Sequence, residues 1–260
     1  MYHPEPYWNE VAKRVARRGD IKLIAGDDEP YYRYKRARFL GLFRRIGFKG
    51  KSVLEIGSGP GGNLAELVNM SAASIHGVDI SDEMVAMSKK MLAGKNVQVA
   101  KIDGLHIPYP DRRFDICFTS TVLQHNTDEA MLAQLVKEIC RVAKTEIYLF
   151  EKVEKKIKGT TLCMGRPVSF YESMLNQHGF ELKETAFLNI EASFLFSGVI
   201  RKLFNKRGRK EGEPVSSVSR WLQNLGLPLT SVLDRLFPAN RDLAMLRFSR
   251  KAVPFEGIEN

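Results

Sequence analysis

Apolar positions follow two alternating rhythms along this chain. Short apolar runs of strand length stand at residues 52–56, 74–78, 96–100, 114–119 and 146–150. Between them, apolar residues recur at helical spacing over 63–70, over 82–92 with Ser81 as cap, and over 128–142, where Met131, Leu135, Ile139 and Val142 share a face. Strands separated by helices predict a parallel sheet covered on both faces, and right-handed crossovers make it doubly wound. The expected fold class is therefore α/β: a Rossmann-like, doubly wound, mostly parallel sheet with helices on both faces. Further strand-like runs at 180–187 and 242–248 bring the strand count to seven.

The same pattern divides the chain. Residues 1–50 form a helical cap, in which Val11, Val15 and residues 21–24 give broken helical spacing and Phe39, Leu42, Phe43 and Ile46 give an amphipathic helix. Residues 51–188 form the core, with a helix at 169–177. Residues 189–240 are an insertion between two neighbouring strands, with helices near 194–203 and 215–236 around a basic loop. An insertion of that length predicts a lid or substrate-binding element. Residues 241–260 hold the final core strand and a tail.

Composition narrows the picture. At 260 residues and 44% hydrophobic content the chain can bury one sizeable core. No stretch is long and apolar enough to span a bilayer, and the N-terminus carries no apolar signal segment, so the expected location is cytoplasmic. Cys117, Cys140 and Cys163 lack paired spacing, and the five histidines show no ligand pairing, so no metal site is expected. The net charge of +10 gathers at residues 13–18, 33–45 and 201–210, which favours anionic partners.

The sharpest chemical signal is the turn Glu55-Ile56-Gly57-Ser58-Gly59-Pro60-Gly61-Gly62, which follows the first strand and opens a helix. Gly57 permits a tight turn, Gly59 a close backbone approach to a ligand, and Gly61 close helix packing. The helix N-terminus adds a partial positive field. Asp79 closes the second strand, where a carboxylate can accept both hydroxyls of a ribose. Asp103 leads the loop after the third strand, through Gly104 and Leu105.

In these ordered elements the chain resembles the class I S-adenosylmethionine-dependent methyltransferases, in particular the small-molecule group with the pattern Glu-x-Gly-x-Gly-x-Gly. The run Ile107-Pro108-Tyr109-Pro110-Asp111-Arg112-Arg113-Phe114-Asp115 and the segment Val122-Leu123-Gln124-His125 extend the likeness. The resemblance implies an antiparallel final strand and S-adenosyl-L-methionine as cofactor. It places Glu55, Gly57, Ser58, Gly59 and Gly61 around the methionine part, Asp79 on the ribose, and Ile80, Asp103, Gly104 and Leu105 around the adenine. Thr119, at the end of the fourth strand, joins this set.

The implied activity is methyl transfer to a small molecule, with oxygen as acceptor atom and His125 as base, its ordinary pKa lying near neutrality. Methylation of RNA or protein is the alternative within the enzyme class. The basic charge favours RNA, but Thr119-Ser120-Thr121-Val122 stands where an Asn-Pro-Pro-Tyr-type loop would signal amino-nitrogen chemistry, so nucleic acid ranks lower. A non-catalytic S-adenosylmethionine-binding protein is the third reading. Trp8, Tyr31, Tyr32 and Tyr34 are placed to close the pocket, and Arg33 or Arg36 to meet a carboxylate. The apolar and basic residues of 194–210 allow packing against the rest of the domain beside a solvated basic loop, a cover over a lipid-like acceptor, or contact with an anionic membrane surface at which the protein is peripheral. The sequence leaves the oligomeric state open.

Overall fold

A computed structural model describes residues 4–17 and 25–252. The part of the broken spacing at 21–24, Arg18 in the first basic cluster, and the tail from 253 lie outside the described residues. The chain opens with α1 (Pro4–Ala16) and α2 (Pro30–Phe43), then alternates: β1 (Ser52–Ile56), α3 (Gly62–Asn69), β2 (Ser74–Asp79), α4 (Asp82–Met91), β3 (Val97–Lys101), β4 (Phe114–Ser120), α5 (Glu129–Val142) and β5 (Ala143–Val153). A hairpin follows, β6 (Lys158–Thr160) with β7 (Cys163–Gly165), then α6 (Val168–Asn176), β8 (Phe180–Phe187), α7 (Glu191–Phe204), α8 (Ser217–Leu236) and β9 (Asp242–Arg250).

Seven strands form one sheet in the order β3-β2-β1-β4-β5-β9-β8. β9 runs antiparallel to both β5 and β8, and the pairs among β1 to β5 are parallel. The order reverses between β1 and β4, so a crevice opens outside their carboxyl ends, where ligands sit in open α/β sheets. Alternation along β1 decides what faces what. Leu54 and Ile56 join a core beneath α5 and α6, with Leu135, Ile139, Tyr171 and Phe248. Val53 joins the opposite core, with Phe39 and Phe43 of α2 and Leu64 and Leu67 of α3. Glu55 shares parity with Val53 and so faces the α2–α3 side.

The predicted elements appear within a few residues of their expected bounds, with two differences. β5 runs over Ala143–Val153 rather than 146–150, because α5 passes directly into an extended Ala143 that pairs with Phe114 of β4, and β9 pairs with β5 as far as Val153. The β6–β7 hairpin was not expected: its strands are three residues long, β6 exposed and β7 half-buried, and carry no alternation to read.

Candidate active site

The crevice at the β1–β4 reversal holds two adjoining clefts. The first is walled by Ile80, Met84, Ile102, Met131 and Leu135, with Asp79 and Gly104 at its edge. The second is wider and more polar, and includes Glu55, Ser58, Arg36, Asn63, Lys35 and Tyr32. Gly57, Gly59, Ser120, Thr121, Trp8 and His125 line both, so the clefts are continuous.

The glycine turn is built by positive φ values of 72° at Gly57, 52° at Gly59 and 90° at Gly61. The neighbours explain the glycines differently. A Cβ on Gly57 would collide with the Val122 side chain, and one on Gly59 would press on Ala25 at 3.2 Å. Gly61 is the N-cap of α3 and packs against Ser88 and Leu92 beside α4, away from the clefts. Ser58 donates its backbone N–H to Val78, while its buried hydroxyl has no hydrogen-bond partner.

Asp79 is buried and braces this turn. Its Oδ2 accepts the Gly59 N–H at 2.7 Å and its Oδ1 the Ser81 N–H at 2.9 Å. Burial raises its pKa and these backbone bonds oppose the rise. A carboxylate has about four acceptor sites, so capacity remains for ribose hydroxyls in the first cleft. Glu55 is also buried: Oε1 accepts from the Asn63 amide at 2.7 Å, and Oε2 has no partner. Burial pushes its carboxyl up to about 8. Once ionised, Oε2 is an unmatched buried acceptor, and a cationic or N–H donor from a ligand would both fit it and draw off the proton that burial retains.

The remaining predicted residues sit apart from this pair. Asp103 is exposed; its Oδ1 accepts the Leu105 and His106 N–H groups, and its Oδ2 meets His106 Nδ1 at 2.9 Å. The His106 contact holds the Asp103 carboxyl down at about 2. Leu105 is outside both clefts, whereas Gly104 adjoins Ile80, whose methyl a Cβ would meet at 2.9 Å. Thr119 is fully buried and donates to Glu151 at 2.8 Å. Arg33 pairs with Asp28 at 2.7 Å on the surface, while Arg36 binds Asn63 and the Gly62 carbonyl beside the second cleft.

His125 ends a single 3-10 turn, residues Leu123–His125, after β4. Its Nδ1 lies 2.8 Å from the Leu162 carbonyl, in the turn between β6 and β7. A carbonyl only accepts, so Nδ1 carries the hydrogen of the neutral ring and Nε2 is left as acceptor. The Gln124 amide reaches Nε2 at 3.1 Å and is oriented by its own oxygen, which accepts the Lys152 N–H. Trp8 packs edge-on against the imidazole at 5.1 Å. Burial depresses the His125 pKa below its ordinary 6.5 and keeps the ring neutral.

Two residues that sequence reasoning missed hold this turn. Glu151 of β5 is fully buried and accepts from Thr119 and from the Val122 and Gln124 N–H groups. Arg166 is fully buried and donates to the Leu123 and Asn126 carbonyls at 3.0 and 2.9 Å. Their signal was an acid and a guanidinium in otherwise buried positions, visible only once burial is known. Above the second cleft, the loop between α7 and α8 supplies Arg209, paired with Asp27, and Glu211, which accepts from Tyr7 of α1 at 2.6 Å.

This sheet order and this site define the class I S-adenosylmethionine-dependent methyltransferase fold. Residues 53–146 match the family model described as methyltransferase domain. Phosphoethanolamine N-methyltransferase 2 of Caenorhabditis elegans is 25% identical over 192 residues, covering 71% of this chain and 44% of that relative. The chain thus spans less than half of that relative's length. Among solved structures, the cyclase SpnF superposes with a TM-score of 0.59 at 19% identity, over 84% of this chain and 81% of that one. Magnesium protoporphyrin IX methyltransferase from Synechocystis PCC 6803 with bound SAH gives 0.57 at 14% identity, over 95% of this chain and 98% of that one.

Proposed function

We propose that this chain transfers the methyl group of S-adenosylmethionine to a hydroxyl oxygen of a small molecule held in the second cleft. Glu55, with its unmatched Oε2, and the Gly57–Gly59 turn would hold the amino-acid end of the cofactor. Asp79 would hold its ribose, and the apolar first cleft its adenine. The cofactor supplies a methyl group already activated on a sulfonium. What the chain adds is alignment, exclusion of water and a place for the acceptor's proton.

One observation carries the choice of oxygen. A neutral histidine stands where the two clefts meet, with Nδ1 locked on a carbonyl and Nε2 turned to accept. A hydroxyl entering there takes the position of the Gln124 amide and gives its proton to Nε2. The depressed pKa of His125 keeps this acceptor available at neutral pH. The cyclase among the fold relatives shows why activity needs its own test, since the fold alone does not name a reaction.

A panel of phenols, catechols, amines and short RNAs, assayed for transfer from methyl-labelled cofactor, tests the proposal. Methylation of a hydroxyl acceptor, lost on His125→Ala with cofactor affinity kept, is the expected result. Transfer to amines or RNA alone, or cofactor binding without product across all classes, would overturn it.

A further inference from the structure

The paired helices α7 and α8 are built inside out. Their buried positions are largely polar: Ser193 and Ser197 on α7, with Ser219, Gln223, Thr230 and Asp234 on α8. Most of these groups bond to one another or to the neighbouring cap, whereas the buried Ser197 hydroxyl has no partner. Asp234 accepts from Ser193 and, at 3.0 Å, from Tyr34 of α2, and Gln223 donates to the buried Glu29 at 2.8 Å. The apolar residues point outward instead. Val218, Trp221, Leu225, Leu229, Val232 and Leu236 recur along one face of α8, with Trp221 62% and Leu229 69% exposed. Leu195, Val199 and Leu203 extend the same exposure on α7. Side chains of this size in a continuous exposed stripe mark a surface made for another phase or partner.

The charges around the stripe choose between occupants. Lys202, Lys206, Arg207, Lys210, Arg220 and Arg235 are exposed and stand next to or between its residues in the chain. None of them forms an ion pair among the described residues. The acids of this region are already engaged: Glu191 pairs with Arg241, Glu211 accepts from Tyr7, Glu213 from the Lys210 N–H, and Asp234 is buried. A second copy would bring a like-charged rim against this one. Anionic headgroups match the cations while acyl chains match the stripe. Neither helix is long and apolar enough to cross a bilayer, so the hairpin lies along the surface.

We propose that the α7–α8 hairpin docks this protein on an anionic lipid surface, with the α8 stripe in the acyl boundary and the lysines and arginines at the headgroups. The loop joining the two helices also roofs the second cleft through Arg209 and Glu211. Docking therefore sets the mouth of that cleft beside the lipid, and does so whatever acceptor atom the cleft serves.

Co-sedimentation of the full chain with vesicles of equimolar phosphatidylcholine and phosphatidylserine tests this. The bound fraction should fall about tenfold or more on pure phosphatidylcholine and fall again as salt rises. The triple variant Trp221→Ser, Leu225→Ser, Leu229→Ser should stay in the supernatant while binding S-adenosylmethionine as the parent does, which certifies its fold. Lys206→Gln with Arg207→Gln should weaken binding and flatten the salt dependence. A parent chain that binds cofactor yet stays in the supernatant with both vesicles would overturn the proposal. So would a vesicle-indifferent dimer that the triple variant dissolves into monomers, since the stripe would then belong to a second copy.

Discussion

At the scale of the residue, two buried carboxylates do different work in one crevice. Asp79 ties the glycine turn to β2 through two N–H groups, so its removal acts on the loop and on a ribose together. Asp79→Ala is expected to weaken S-adenosylmethionine by at least tenfold in calorimetric titration, from roughly 1.5–3 kcal/mol for each bond to a charged group. Unchanged affinity in a folded variant would refute the assignment. Glu55 is protonated in the folded chain up to about pH 8, well above its ordinary 4.5. The folded state therefore holds a proton that the unfolded state has released, and stability declines as pH rises between those two values. The slope is at most about 1.4 kcal/mol per pH unit. Denaturant melts of Glu55→Gln should show that decline flattened. Against His125 the expectation is kinetic: His125→Ala should cut kcat by roughly 10²-fold or more, with the parent's rate held at neutral pH and lost only below 6.5. A pH–rate profile that does not change on substitution would remove the base.

At the scale of the element, neighbours rather than propensity hold the functional turns. Gly57 is glycine because Val122, from the turn after β4, occupies the space a side chain would need. Gly57→Val combines a left-handed φ, at about 1–2 kcal/mol, with overpacking of about 1–3 kcal/mol. It should lower the melting temperature as well as abolish cofactor binding; a variant with wild-type affinity would mean that Val122 yields freely. The α7–α8 pair offers the complementary case. Ile190 gives α7 no side-chain cap, and Asp234 reaches across from α8 to accept the Ala192 N–H at 2.8 Å. Asp234→Ala would orphan that donor and the Ser193 N–H, each worth about 1–3 kcal/mol. Hydrogen exchange should then show α7 opening while the sheet stays protected. Equal protection across both would place the stability of α7 elsewhere.

At the scale of the whole molecule, the alternation of strand and helix from 52 to 150 was legible in the sequence because burial there follows local periodicity. A strand buried on both faces is an apolar run, and a helix packed on one face shows its apolar stripe. The glycine turn was legible for a related reason: positive φ and close approach restrict the residue type at the position itself. Asp79, Ile80, Gly104 and His125 do meet at one crevice, because the ends of successive parallel strands fall on one edge of the sheet. Pairings between distant segments left no such local trace. Glu151 and Arg166 look like ordinary charges in the chain and became the clasp of the His125 turn only when β5 and the β6–β7 hairpin were brought beside it. The apolar residues of 194–204 allowed packing, a cover or membrane contact, and periodicity records only that they share a helix. What set their direction was the polar network of Glu29, Tyr34, Gln223 and Asp234, assembled from α2, α8 and the segment before α2. The sequence by itself determined the sheet, its helices and the glycine turn, because those depend on neighbours a few residues away. Only the tertiary structure decided which buried charges brace the His125 turn, from 27 to 43 positions away, and which face of the hairpin looks outward, through residues about two hundred positions apart.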